Sequence, residues 1–128
     1  MLPLKALLVE DSAVIRENLI AALEELAPVQ VVATATDEPG ALSWLDNVGH
    51  ECDLVIIDIF LKTGSGLGVL RAASALKRHM SLVVLSNYAT PDMRRKCLAL
   101  GAHRVFDKSN EIDSLIQYCS HLADGETP

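Results

Sequence analysis

The sequence predicts an α/β fold: a doubly wound, five-stranded parallel sheet with helices on both faces. Three observations predict it. First, short apolar runs such as Leu54-Val55-Ile56-Ile57 lack the alternation of a half-exposed strand, and so belong in a sheet buried on both faces. Second, stretches with helical spacing of apolar residues separate these runs, and a regular strand–helix alternation is the pattern of a parallel sheet. Third, the runs end on polar side chains. Glu10-Asp11 follows the first, Asp58 the third and Ser86 the fourth, and the last leads through Asp107 to Lys108. In a parallel sheet these ends share one edge, where open α/β sheets place their chemistry.

Each element has its own justification. Lys5–Val9 is the first strand. Asp11 or Ser12 caps a helix over Ala13–Ala27, with Ile15, Leu19, Leu23 and Leu26 on one face, and Pro28 stops it. Val29–Ala35 alternates enough to be an edge strand. Asp37 caps a second helix that tolerates Pro39 in its first turn. Leu42, Leu45 and Val48 mark its inner face, Trp44 packs on it, and Gly49 ends it. Leu54–Ile57 is the third strand. After a long loop, Ile59 to Ser65, a third helix runs from Gly66 or Leu67 to about His79, with Leu67, Leu70, Ala73 and Leu76 inward. The fourth strand begins at Ser81 or Leu82. Thr90 caps a fourth helix with Pro91 at its first position, and Gly101 closes it. His103–Phe106 is the short fifth strand. A final helix starts near Asn110, with Ile112, Leu115, Ile116, Cys119 and Leu122 as its apolar stripe. The tail from Asp124 to Pro128 reads as frayed. Right-handed crossovers leave few strand orders, and 2-1-3-4-5 is one of the two common doubly wound ones.

Length and composition narrow the function. The 128 residues fit one domain over 1–128, with an ordered core of about 4–123, and hydrophobic residues make up half of them. A net charge of −6 disfavours sequence-independent nucleic-acid binding, which needs a basic surface. The three cysteines form no CxxC, and the four histidines lack zinc-site spacing. No apolar run reaches the roughly 18 residues that a membrane-spanning helix needs. The first residues lack the plan of a signal peptide. The expectation is a cytoplasmic protein.

In the 2-1-3-4-5 order the first and third strands are neighbours, so Glu10, Asp11 and Asp58 converge. Two like charges 4 Å apart repel by roughly 4 kcal/mol at an effective dielectric near 20. Three carboxylates therefore need protonation or a counter-cation. Mg²⁺ suits this oxygen set, and it keeps sites for waters and phosphate oxygens. That points to phosphoryl chemistry. Asp58 serves as the nucleophile, Lys108 pairs with a phosphoryl oxygen, and the Ser86 hydroxyl donates to another.

With Glu10-Asp11, Asp58, Ser86 and Lys108 in this order at successive strand ends, the whole chain resembles the receiver domain of two-component response regulators. A flavodoxin-like fold is what that resemblance implies. It further implies that Asp58 accepts phosphate from a sensor histidine kinase or a histidine phosphotransfer protein. Mg²⁺ would be held by Glu10 or Asp11, by Asp58 and by the Phe60 backbone carbonyl. Ser86 would move toward the phosphoryl group and switch the face formed by the fourth helix, fifth strand and fifth helix, where a downstream protein binds. Homodimerisation on phosphorylation belongs to the same expectation. Such a domain catalyses its own phosphorylation and dephosphorylation and is no turnover enzyme. It meets nucleic acid only through a separate output domain, and it does not enter a membrane.

The sequence departs from the family pattern at four places. Lys62 stands where a proline is frequent, and Ser109 follows Lys108 where proline is usual. Val105 holds the aromatic switch position, with Phe106 beside it pointing to the other face. Asn87 is larger than the usual neighbour of the hydroxyl. Phe60 and Tyr88, each two residues beyond a site residue, are expected to shield an acyl phosphate from water. Competing readings fare worse. A Mg²⁺-dependent phosphatase or nuclease commonly needs an acid where Phe60 stands, and a flavin phosphate would be repelled by Glu10-Asp11. A degenerate receiver that only binds proteins conflicts with the complete acid set. Gly64-Ser65-Gly66-Leu67-Gly68 misses both phosphate-loop spacings. His50-Glu51-Cys52-Asp53 is too contiguous to converge on a metal, and Arg94-Arg95-Lys96 reads as a solvated helix face.

Overall fold

A computed structural model describes residues 3–125. Strands and helices alternate throughout: β1 (Leu4–Val9), α1 (Ala13–Leu26), β2 (Val29–Ala35), α2 (Glu38–Asp46), β3 (Leu54–Ile57), α3 (Gly66–Ala75), β4 (Ser81–Ser86), α4 (Pro91–Ala99), β5 (Arg104–Asp107) and α5 (Ile112–Ala123). The five strands form one sheet in the order β2-β1-β3-β4-β5, and every neighbouring pair is parallel. Fold class and strand order are therefore as expected.

Side-chain alternation along the strands divides the core. Leu7, Val9, Val55, Ile57, Leu82, Val84 and Val105 pack on one face against Ala41 and Leu45 of α2, Val69, Leu70 and Ala73 of α3, and Cys97 of α4. Ala6, Leu8, Leu54, Ile56, Val83, Leu85 and Phe106 pack on the other against Leu19 and Leu23 of α1 and Leu115 and Cys119 of α5. Each large apolar side chain buried this way contributes about 1.5–3 kcal/mol relative to exposure. Because Ala6–Val9, Leu54–Ile57 and Leu82–Leu85 are apolar on both faces, the polar residue that follows each run falls at the carboxyl edge.

Side-chain caps start four of the helices. Ser12 Oγ accepts from Ile15 N–H at 3.3 Å, Asp37 Oδ1 from Gly40 N–H at 2.8 Å, Ser65 Oγ from Leu67 N–H at 3.1 Å and Thr90 Oγ1 from Met93 N–H at 3.2 Å.

Several helix ends and faces differ from the sequence expectation. α2 stops at Asp46 with Asn47 as its cap, so Val48 lies beyond the helix and is 89% exposed; Ala41 and Leu45 are its buried positions. α3 stops at Ala75, well before His79, because the chain turns through a left-handed Lys77 at φ 52°, and Leu76 is left exposed. Leu26, in the last turn of α1, is exposed rather than inward. α5 begins at Ile112. Of the tail, residues 126–128 lie outside the described residues. Among the described residues no helix is long and apolar enough to cross a membrane.

Candidate functional site

β1 delivers Glu10 and Asp11 to the carboxyl edge, β3 delivers Asp58, β4 ends on Ser86, and the residue after β5 is Lys108. The register explains the convergence. Val9 pairs with Ile57, so the acids that follow each strand lie side by side. Ser86 pairs with Asp107, and the Lys108 N–H donates to the Ser86 carbonyl at 3.0 Å, which places Lys108 next to the end of β4.

The three acids do come together: one carboxylate oxygen from each of Glu10, Asp11 and Asp58 lies within 4.8 Å of the others. Glu10 is 1% exposed and Asp58 6%, so these charges are largely cut off from water. Lys108 reaches across the sheet edge to both. Its Nζ lies 2.6 Å from Glu10 Oε1 and 3.1 Å from Asp58 Oδ2. Burial raises the Asp58 pKa above its ordinary value; Glu10 adds to the rise while Lys108 opposes it. Burial works against the Lys108 ammonium too, but its hydrogen bond to Glu10 and the attraction of Asp58 and Glu10 prevail, so its pKa is raised.

Backbone groups hold the acids in place. Glu10 Oε2 accepts from Ser12 N–H at 3.1 Å, and the Arg16 guanidinium donates to the Glu10 carbonyl at 3.0 Å. Asp11 Oδ2 accepts from Lys62 N–H at 2.8 Å, which ties the start of α1 to the β3–α3 loop. Asp58 Oδ1 accepts from Phe60 N–H at 3.3 Å. The fully buried Ser86 hydroxyl accepts from Tyr88 N–H at 3.0 Å. The Phe60 and Tyr88 rings meet edge to face with centroids 5.0 Å apart and are 52% and 62% exposed, joining the loops that leave Asp58 and Ser86.

Several sequence expectations resolve at this stage. Val105 and Phe106 do lie on opposite faces of the sheet. No peptide bond among the described residues is cis, so Ser109 follows Lys108 in the trans form. His50, Glu51, Cys52 and Asp53 do not gather round one point: His50 meets the Trp44 carbonyl, Cys52 the Leu54 carbonyl, and Glu51 and Asp53 the ammonium and the backbone N–H of Lys5. Trp44 stacks on His50, with ring centroids 4.4 Å apart. Arg94 is a correction. Instead of pointing to solvent, it donates to the Ala89 and Val105 carbonyls, each at 2.9 Å, and to Glu111 Oε1 at 2.5 Å. It is half-buried because β5 and the start of α5 pack beside it. Its position in a basic triplet hid this role. The holding groups Lys62 N–H and Arg16 carry no sequence signal either, since a backbone donor and a lone arginine leave no signature.

Three carboxylates, two of them buried, outnumber the one ammonium among them, and such hard oxygen donors fit a divalent cation such as Mg²⁺. An acidic cluster at the carboxyl edge of a 2-1-3-4-5 sheet, at the switch point where open α/β sheets bind their ligands, defines the class as flavodoxin-like α/β domains. Comparison with known proteins makes the class specific. The model of the response regulator receiver domain matches residues 6–120, and the chain belongs to that family. Among its relatives are protein-glutamate methylesterase/protein-glutamine glutaminases. That of Azospirillum brasilense is 29% identical over 78% of this chain and 25% of its own length. That of Clostridium acetobutylicum is 27% identical over 89% of this chain and 35% of its own. The chain thus spans about a third or less of these relatives. The fold matches the signal receiver domain of the response regulator NarL from Mycobacterium tuberculosis, with a TM-score of 0.85 at 21% identity over 98% of this chain and all of that one. It also matches a CheX–CheY–BeF3–Mg complex from Borrelia burgdorferi, with a TM-score of 0.83 at 19% identity over 98% of this chain and 92% of that one.

Proposed function

We propose that residues 4–123 act as one phospho-accepting receiver unit in the cytoplasm, with Asp58 as the acceptor. The observation that carries this reading is the reach of Lys108 to Asp58 and Glu10 inside a cluster of three acids. An Asp58 carboxylate oxygen attacks the phosphorus of a phosphohistidine on a sensor histidine kinase or a histidine phosphotransfer protein. The new P–O bond forms as the P–N bond breaks, and the departing imidazole takes up a proton. Lys108, already beside Asp58, offers its ammonium to a phosphoryl oxygen, and the Ser86 hydroxyl turns from Tyr88 N–H to donate to another. Glu10 or Asp11, Asp58 and the Phe60 carbonyl would hold Mg²⁺, which would supply positive charge for the phosphoryl oxygens.

The output surface is α4–β5–α5. With Val105 in place of an aromatic switch, Arg94 supports a different transmission. It joins Ala89 in the loop after Ser86 to Val105 on β5 and Glu111 at the start of α5, so a shift of that loop pulls on both elements. A downstream protein reads the shifted face, and a second copy of the chain on phosphorylation is one such reader. The chain's catalysis is confined to gaining and losing its own phosphoryl group.

The test is incubation with Mg²⁺ and a small acyl-phosphate donor, followed by intact-mass measurement. Wild type is expected to gain the mass of one phosphoryl group, and Asp58→Asn none. Equal labelling of the two proteins, or none of either, refutes the assignment.

A further inference from the structure

The run Gly64-Ser65-Gly66-Leu67-Gly68 has no part in the site described so far, yet two of its three glycines, Gly64 and Gly68, are explained by one side chain from another element. Glu38, the first residue of α2, inserts its carboxylate at the start of α3. Its Oε1 accepts from Ser65 N–H at 2.8 Å, and its own N–H donates to the Thr63 carbonyl at 3.3 Å. A Cβ at Gly64 would sit 2.5 Å from Glu38 Cβ, and one at Gly68 would sit 2.5 Å from Glu38 Oε2. Gly64 is in addition left-handed, at φ +80°. A carboxylate at a helix N-terminus is favoured by the helix dipole, so the glycine run is a seat for an internal acid.

The other end of the same loop is fixed on the acceptor itself. A Cβ at Gly66 would lie 2.0 Å from the Asp58 carbonyl oxygen, and Gly66 N–H donates to the Ile59 carbonyl at 2.9 Å. The segment 59–65 is thus held at its base by Gly66 and at its far turn by Glu38. Between these anchors, Lys62 N–H holds Asp11 and Phe60 N–H faces Asp58.

We infer that Glu38 is a positioning residue: by clamping the β3–α3 loop it sets the placement of Asp11 and of the Phe60 backbone, and through them the affinity for a divalent cation. The cation half of this inference rests on the receiver reading above; the clamp does not. Groups that orient ligands of a metal typically change its affinity 10- to 100-fold when removed.

The test uses Glu38→Ala and Glu38→Gln, with Thr90→Ala as a control that removes a helix cap elsewhere. Mg²⁺ titrations are followed by amide chemical shifts, and amide exchange is read at Lys62 and Ser65 without Mg²⁺. Glu38→Ala is expected to bind Mg²⁺ about tenfold more weakly and to lose protection at both amides. Glu38→Gln, whose amide oxygen still accepts from Ser65 N–H, is expected to recover much of both. Thr90→Ala should leave Mg²⁺ affinity unchanged. Wild-type affinity and protection in Glu38→Ala overturn the inference, as does an equal loss of affinity in Thr90→Ala. Should Glu38→Ala fail to fold, Gly68→Ala, which displaces the carboxylate, is read at the same two amides. If wild type itself does not bind Mg²⁺, the receiver reading fails, while exchange at Lys62 and Ser65 still decides the clamp.

Discussion

Asp58 carries its charge at a cost. Burial raises its pKa above the unfolded value of 3.8, so in the window between the two values the folded state binds more protons than the unfolded one. Stability contributed by the neutral acid is therefore present at low pH and lost as pH rises through the folded pKa. Above that window the charged carboxylate weighs against folding. Asp58→Asn removes this burden, and in EDTA at pH 7 it is expected to melt roughly 2–5 °C above wild type, on the order of 1 kcal/mol. The advantage should shrink as pH falls through the folded pKa of Asp58, below which both proteins carry a neutral side chain. Thermal melts across pH check this, and a gap independent of pH refutes it. The gathering of Asp58, Glu10, Asp11, Ser86 and Lys108 at one sheet edge is legible in the sequence, because polar residues after a buried run are conspicuous. That the Lys108 ammonium already bridges two of the acids is not, since side-chain reach is not written in strand order.

At the scale of elements, starts were more legible than stops. Ser12, Asp37, Ser65 and Thr90 all cap as their residue types suggest. Stops are hidden where an apolar residue continues the helical period beyond the packed turns, as at Val48 and Leu76. Periodicity reports which face a residue is on, not whether the sheet still lies beneath it. The loops gave the least away, yet they carry two aromatic residues whose rings touch. Phe60 and Tyr88 link the loops that leave Asp58 and Ser86. With Asp58 phosphorylated as proposed and the two rings shielding it from water, Phe60→Ala and Tyr88→Ala are expected to lose the phosphoryl group several-fold faster. Phosphate release after removal of the donor measures this; lifetimes equal to wild type in both variants refute the shielding role.

For the molecule as a whole, the parallel topology turns distant sequence into one charge cluster. Lys108 and Glu10 are 98 residues apart and form a buried ion pair because their strands end at the same edge. That much follows from strand order, whereas the Glu38 seat and the Arg94 link depend on loop paths that strand order does not fix. The cluster makes a prediction about global stability. Lys108→Met keeps the bulk of the side chain but leaves Glu10 and Asp58 buried without their ammonium. Removing one partner of a buried pair typically costs about 3–5 kcal/mol; protonation of Asp58, already favoured by burial, brings the expected loss in EDTA toward the lower figure. A divalent cation that binds the folded state stabilises it by RT ln(1 + [L]/Kd). The missing positive charge also makes that cation more tightly held. The Mg²⁺-induced rise in melting temperature should therefore be larger in Lys108→Met than in wild type and absent when Asp11→Asn and Asp58→Asn are combined. Melts in EDTA and in saturating Mg²⁺ decide the matter: equal rises in all three proteins would place the cation elsewhere and remove the electrostatic basis for phosphoryl transfer at this edge.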